Sequence, residues 1–276
     1  MSVSGTGMDG TAEGAARSET EQDPSGHRLL RGLWVVLAVL AAYAVYRLLR
    51  MHDTVPRYRW HFEVIWQYRS QLYAGLLYTL VFTVICMVCG FLFGLLTAIA
   101  RLSGIRLLTI PVRAVIELFR CTPVLVQLVW IYYALPVLTG LQLSAPAAAA
   151  IGLSLYGGAF YSEIIRGGIL AIDVGQTEAG QALGMSPAQV MRRVVLPQAF
   201  RNMVPPLVSQ SIMQLKNTSL LSVIAVPDLL YQAQSASQAT YRPLEFYTAA
   251  AVLYFVVLFP ATLLAQKLEV RRDKGR

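Results

Sequence analysis

The chain has 276 residues, 56% of them hydrophobic and 14% charged, with a net charge of +8. Soluble globular chains carry about 25% charged residues, so this composition excludes an ordinary soluble enzyme and, for most of the length, a disordered chain. The 23 Lys and Arg sit at the ends of apolar runs and not along one stripe, which argues against nucleic-acid binding and for a membrane protein's distribution of positive charge.

Residues 1–27 are rich in Gly, Ser, Thr and Glu and read as a disordered tail on the interior side. The long acidic start is unlike a signal peptide. Gly5, Gly7 and Gly10 spell G-x-G-x-x-G, but with no strand before it and no helix after it the motif is not a dinucleotide site. Residues 28–50 form an extra N-terminal span (29–49), with Arg31 and Arg47 snorkelling to the two surfaces. A start at Met51 would leave five spans. Residues 51–71 hold Trp60, Phe62, Trp66 and Tyr68 among arginines and predict an amphipathic helix on the outer surface.

A spanning helix needs about 20 mostly apolar residues. The runs 72–100, 122–138, 146–170, 204–226 and 246–265 qualify, with an amphipathic stretch near 111–120 before the second of these. They make a core of residues 72–266, followed by a basic interior tail, 267–276. With the loop 173–200 inside, 16 Lys and Arg lie on the interior side and 6 on the exterior. That ratio predicts a multi-pass protein of the cell membrane with both termini cytoplasmic. Cys86, Cys89 and the three histidines lack metal-ligand or redox context, so no metal is expected.

The loop 173–200 is long for a compact membrane protein. Residues 177–183 favour a helix, and Gly184 supplies the left-handed residue that ends it. Ser186-Pro187-Ala188-Gln189 reads as a capping box with proline at the first helical position. The second helix is expected to run to about Val195 and stop before Pro197. Ala179, Ala182, Leu183 and Met185 give the first helix a small apolar face, against which another protein's surface can come close.

Glu178-Ala179, Gly184, Val194 and Leu196-Pro197 keep the spacing of the EAA motif, with Gly180 and Val194 where the motif has alanine and isoleucine. The chain thereby resembles permease subunits of ATP-binding-cassette importers. Three further segments, 117–128, 161–169 leading into Gly175-Gln176, and 216–220, resemble those of the polar amino acid (histidine/glutamine/arginine) class in the same order. The resemblance covers about residues 68–270. It implies an all-α integral membrane fold, the type I ABC importer transmembrane domain, with a five-helix core plus the extra first span. It also implies that Glu178, Ala179, Gly184, Leu196 and Pro197 couple to a cytoplasmic ABC ATPase dimer. ATP and Mg would sit on that ATPase, with no cofactor on this chain. The other implied partners are a second permease subunit, identical or paralogous, and an extracytoplasmic solute-binding protein. Membrane lipid surrounds the spans.

Ionisable residues inside spans are costly and need a reason. Lys216 falls near the middle of the run 204–226. It is either paired within the bundle or a pathway cation for a substrate carboxylate. At 100° per residue Gln210, Ser211, Gln214, Asn217, Thr218 and Ser222 share an arc of about 140°, a stripe suited to a hydrated pathway, and Lys216 lies about 120° from either edge. Either the helix breaks near Lys216-Asn217 or Lys216 faces a different partner. Ser219 follows in the same segment. Gln127, Tyr132, Tyr133 and Tyr161 either contact a zwitterion or satisfy interhelical hydrogen bonds. Glu163 with Arg166, and Glu117 with Arg120, have i,i+3 spacing for ion pairs, interfacial or gating. Gly90, Gly94, Gly157 and Gly158 permit close helix packing.

No G-x-x-x-x-G-K-[ST], H-E-x-x-H or G-x-S-x-G occurs, so the chain is expected to be no enzyme and not the ATPase itself. The expected function is inward translocation of a polar amino acid or similar small zwitterion; histidine, glutamine, glutamate, arginine, ectoine-like and opine-like solutes all fit. An ion-coupled secondary transporter is the alternative. It would carry an internal inverted repeat, which the sequence lacks.

Overall fold

The computed structural model describes residues 36–47 and 58–273, which are helical with connecting turns and contain no strand. The chain divides into two units, residues 1–59 and 60–276. In the first unit, α1 (Val36–Arg47) is a short apolar helix. The predicted tail 1–27, the rest of the first span, residues 51–57 and the last three residues lie outside the described residues.

The second unit is a helical bundle. Its elements are α2 (Glu63–Gln67), α3 (Arg69–Leu102), α4 (Arg106–Cys121), α5 (Val124–Val129), α6 (Leu135–Thr139), α7 (Ala145–Leu170), α8 (Val174–Ala182), α9 (Pro187–Val190), α10 (Leu196–Asn217), α11 (Leu229–Thr240) and α12 (Pro243–Asp273). Among the described residues three helices are long and apolar enough to cross a membrane: Arg69–Leu102, Ala145–Leu170 and Pro243–Lys267. The segment Val124–Thr139, bent by 110° from α4, makes a fourth if the pair is one broken span.

Of the amphipathic helix expected over 51–71, the described part, from residue 58 onward, contains α2, and Tyr68 leaves helical geometry before α3 begins at Arg69. The run 204–226 is not one helix. The α-helix starts earlier, at Leu196, and ends at Asn217, where a 3-10 segment, Thr218–Ile224, takes over. So the α-helix ends just after Lys216-Asn217, while Lys216 itself stays on the regular helix. Residues 229–240, between two of the predicted runs, form α11, capped by Asp228, whose carboxylate accepts from the Tyr231 N–H at 2.8 Å.

The helix through residue 195 does not stop before Pro197. A π turn over Met191–Val195 lets the Leu196 N–H donate to the Met191 carbonyl, and α10 continues. The same solution occurs at Trp130–Ala134, where the Leu135 N–H donates to the Trp130 carbonyl just before Pro136. Proline removes an N–H and crowds the carbonyl four residues back; in each case the N–H that closes the wider turn belongs to the residue just ahead of the proline.

α3 packs most extensively on α7, and glycine makes this possible. A Cβ on Gly94 would lie 2.7 Å from Tyr161 Cβ and 2.8 Å from the Gly158 carbonyl. Three buried clusters run along the bundle. Leu72, Leu229 and Phe246 hold one end, Cys86, Leu128 and Leu153 the middle, and Ala98, Ile165 and Met203 the end that carries residues 173–200.

Candidate functional site

Residues 173–200 build an elbow from local signals. Asp173 opens α8 by accepting from the Gly175 N–H at 2.7 Å. At its other end Gly184 has φ +75°. The Gly184 N–H donates to the Gln181 carbonyl at 2.9 Å and the Met185 N–H to the Gly180 carbonyl at 3.1 Å, the paired bonds of a Schellman ending. Ser186 and Gln189 then form the reciprocal capping box, with Pro187 in the first turn. α8 starts at Val174, three residues before the predicted start, because Asp173 caps it.

The two arms of the elbow close on each other through Val190, which is buried. A Cβ on Gly180 would come within 2.9 Å of Val190 Cγ2. The glycine that replaces the second alanine of the motif therefore sits at the tightest point of the elbow. Glu178, Ala179, Gly184, Leu196 and Pro197 are all exposed. Leu183 is 83% exposed and Val174 70%, so the elbow carries an uncovered apolar patch beside a carboxylate.

The two predicted i,i+3 pairs are joined. Glu163 accepts from Arg166 at 2.9 Å and lies 3.5 Å from Arg120, which is 3.6 Å from Glu117. Arg101, at the end of α3, completes the cluster through a direct ion pair with Glu163. Sequence reasoning missed Arg101 because its partner is 62 positions away. Three guanidinium groups thus meet around Glu163 and tie α3, α4 and α7 together at the end that bears the elbow. Mutual repulsion among them is held down by that single carboxylate, with Glu117 at the rim.

Gln127 clamps the 110° bend. Its Nε2 donates to the Phe119 carbonyl at 2.8 Å and to Thr122 Oγ1 at 2.7 Å. On α10, Gln214 is fully buried, and its Nε2 donates to the Leu153 carbonyl at 2.7 Å. It lies flat over Gly157, where a Cβ would fall 2.8 Å from its Oε1. Thr218 is buried too, while Gln210, Asn217 and Ser219 are half-buried. Within this chain the polar stripe faces α7, and Lys216 points the other way, exposed. Tyr161 Oη and Ser211 Oγ are 3.1 Å apart and line a cleft of about 270 Å³ walled by Met87, Val88, Phe91, Leu92 and Leu207. Tyr132 and Tyr133 pack edge to face.

At the opposite end two buried carboxylates escaped sequence reasoning. Asp228 also accepts from Tyr254 Oη at 3.3 Å. Glu245 accepts from the His61 N–H at 3.1 Å. The Asp228-x-x-Tyr231 cap is the one signal that would have found α11. Among the described residues no three His, Cys, Asp or Glu side chains group to hold a metal, and Cys86, Cys89 and Cys121 are free thiols.

Long apolar helices around a shared core, with an elbow exposed at one end, define a multi-pass membrane protein. The chain belongs to the family of binding-protein-dependent transport system inner membrane components, whose pattern matches residues 90–274. It is 39% identical over 206 residues to the probable glutamine ABC transporter permease protein GlnP of Bacillus subtilis, covering 73% of this chain and 93% of that protein. The glutamine transport system permease protein GlnP of Escherichia coli is 37% identical over 76% of this chain and 96% of its own length. The L-cystine transport system permease protein TcyB of Bacillus subtilis is 38% identical over 74% and 87%. In three dimensions the chain matches the crystal structure of an amino acid ABC transporter with histidines, with a TM-score of 0.73 and 36% identity over 78% of this chain and all of that one. The MetNI methionine ABC transporter, in an inward-facing conformation, shares the fold with a TM-score of 0.60 at 22% identity, over 75% and 98%. This is the transmembrane fold of ABC importer permeases.

Proposed function

We propose that the chain is the permease subunit of an ATP-driven importer and translocates a polar amino acid or similar small zwitterion into the cell. The relatives' substrates, glutamine and cystine among them, support the polar amino acid class. Its partners are a cytoplasmic ATPase dimer that carries the ATP and Mg, a second permease subunit and an external solute-binding protein. The elbow end is cytoplasmic and both termini lie there.

The observation that carries this reading is the elbow itself. It is shaped by Gly184 and the Ser186 capping box, bears an uncovered Leu183, and is continuous with a bundle helix. In this account Glu178, Ala179 and Gly184 contact the ATPase, while Leu196 and Pro197 begin the lever. ATP binding draws the two ATPase subunits together and moves both docked elbows. Because α9, the π turn and α10 form one uninterrupted helix, displacement at the elbow passes straight to Gln210, Gln214, Lys216, Asn217, Thr218 and Ser219. Lys216 attracts the substrate carboxylate on the exposed side of α10, where the second subunit or the pathway lies. Gln127 acts at the bend rather than on substrate. Glu163, with Arg166, Arg120 and Glu117, closes the inner end and must loosen for substrate to leave.

Reconstitution tests this. Uptake that requires ATP, the ATPase and the binding protein together is the expected result. Uptake by the isolated chain driven by an ion gradient would establish a secondary transporter instead.

A further inference from the structure

α4 has three distinct sides. Ile116 is fully buried against the bundle, and Val112 and Phe119 flank it. A broad apolar face is left uncovered, with Leu107 88%, Ile110 66% and Leu118 60% exposed. Between these two sides runs a ridge of arginines. Arg106, Arg113 and Arg120 recur every seven residues, which on a helix places them within about 40° of one another and about 10 Å apart. Arg120 is engaged with Glu117 and Glu163. Arg106 and Arg113 are exposed and take part in no ion pair among the described residues.

The helix is turned 110° from the segment Val124–Thr139. If that segment crosses the bilayer, α4 lies nearly in the membrane plane, at the end where the Glu163 cluster and the elbow are found. A helix lying flat, apolar on one side and basic along an edge, meets acyl chains and phosphate groups together. We infer that α4 is an interfacial helix that binds an anionic phospholipid of the inner leaflet, with Arg106 and Arg113 holding the headgroup phosphate and Leu107, Ile110 and Leu118 lying against the acyl chains. This rests on the reading of the elbow end as cytoplasmic. A lipid answers both features at once, its phosphate on the two arginines and its acyl chains on the wide apolar face beside them. Arg120 belongs to the bundle, so the lipid sits beside the inner ionic cluster without being part of it.

The test is native mass spectrometry of the full chain in complex with its ATPase. The complex is delipidated and titrated with phosphatidylglycerol and, separately, with phosphatidylcholine. Phosphatidylglycerol is expected to bind the wild type more tightly. Each arginine contributes about fivefold, so R106Q weakens phosphatidylglycerol about fivefold and R106Q/R113Q about twenty-fivefold, with phosphatidylcholine, whose choline offsets the phosphate charge, weakened less. R106K/R113K retains most of the preference, since phosphate at an interface is held mainly by charge, and added salt erodes it. Equal affinity for the two lipids in the wild type would overturn the inference. So would an unchanged phosphatidylglycerol affinity in R106Q/R113Q that elutes and melts like wild type. Cross-links from Arg106 and Arg113 to acidic residues of the ATPase that exclude phosphatidylglycerol would overturn it as well, by assigning the ridge to a protein. Lipid binding is read without ATP or substrate, so loss of the preference with uptake intact refutes this inference alone. A preserved preference with no ATP-driven uptake supports it while refuting the transport reading.

Discussion

Gly184 offers a test in which backbone strain and docking separate. Its φ is +75°, and nothing lies within 4 Å of where a Cβ would be. The cost of a side chain is therefore one of conformation and not of collision inside this chain. An L-residue in the left-handed region costs about 1–2 kcal/mol, while asparagine tolerates it better. The elbow is held at this point by the bonds from Gly184 and Met185 to α8, so the strain appears as more frequent local opening, about fivefold to thirtyfold. Hydrogen exchange at the Met185 amide should accelerate by that factor in Gly184→Ala, and less in Gly184→Asn. Gly184→Leu should open as Gly184→Ala does, yet lose substrate-stimulated ATP hydrolysis further, because its side chain projects into the docked surface. All three should insert normally. Exchange unaltered in Gly184→Ala, or equal in the alanine and asparagine variants, would refute the conformational argument. Full ATPase stimulation in Gly184→Leu would refute the docking argument.

Other outcomes follow from the packing. Glu163→Gln leaves three arginines facing one another without their carboxylate and should destabilise the permease by about 2 kcal/mol, read as a lower melting temperature in detergent. Arg166→Gln, which removes a half-exposed partner, should cost clearly less. Gly94→Leu forces a side chain into the Gly158 backbone and should abolish folded, membrane-inserted protein on expression. Gly167→Ala, with nothing within 4 Å, should express and melt like wild type. Lys216→Met should raise the KM for uptake about tenfold if it supplies one charged contact to substrate, and an unchanged KM would remove Lys216 from the pathway.

The elbow was legible in sequence because its determinants are local. A left-handed glycine, a capping box and a proline in the first turn each act within a few residues. The pairs Glu163–Arg166 and Glu117–Arg120 were legible for the same reason. Their union through Arg120 and Glu163, and the addition of Arg101, were not, since these depend on α4 and α3 both packing against α7. α11 escaped because it is short and mixes Gln, Ser and Ala with few large apolar residues. The boundary at Pro197 misled because a π turn absorbs what an α-helix could not. Lys216 illustrates the opposite limit. Helical periodicity correctly separated it from Gln210 and Gln214, but which side faced the bundle was set by Gln214 reaching the Leu153 carbonyl 61 positions away.

The central claim is that the elbow is a cytoplasmic handle gripped by a separate ATPase. Leu183→Cys, with Cys86, Cys89 and Cys121 replaced, measures this directly. The thiol should be shielded from membrane-impermeant reagents added outside intact cells, and should cross-link to the ATPase with a yield that changes on ATP binding. Labelling from outside, or the absence of any cross-link to the ATPase in an assembled complex, would contradict the account.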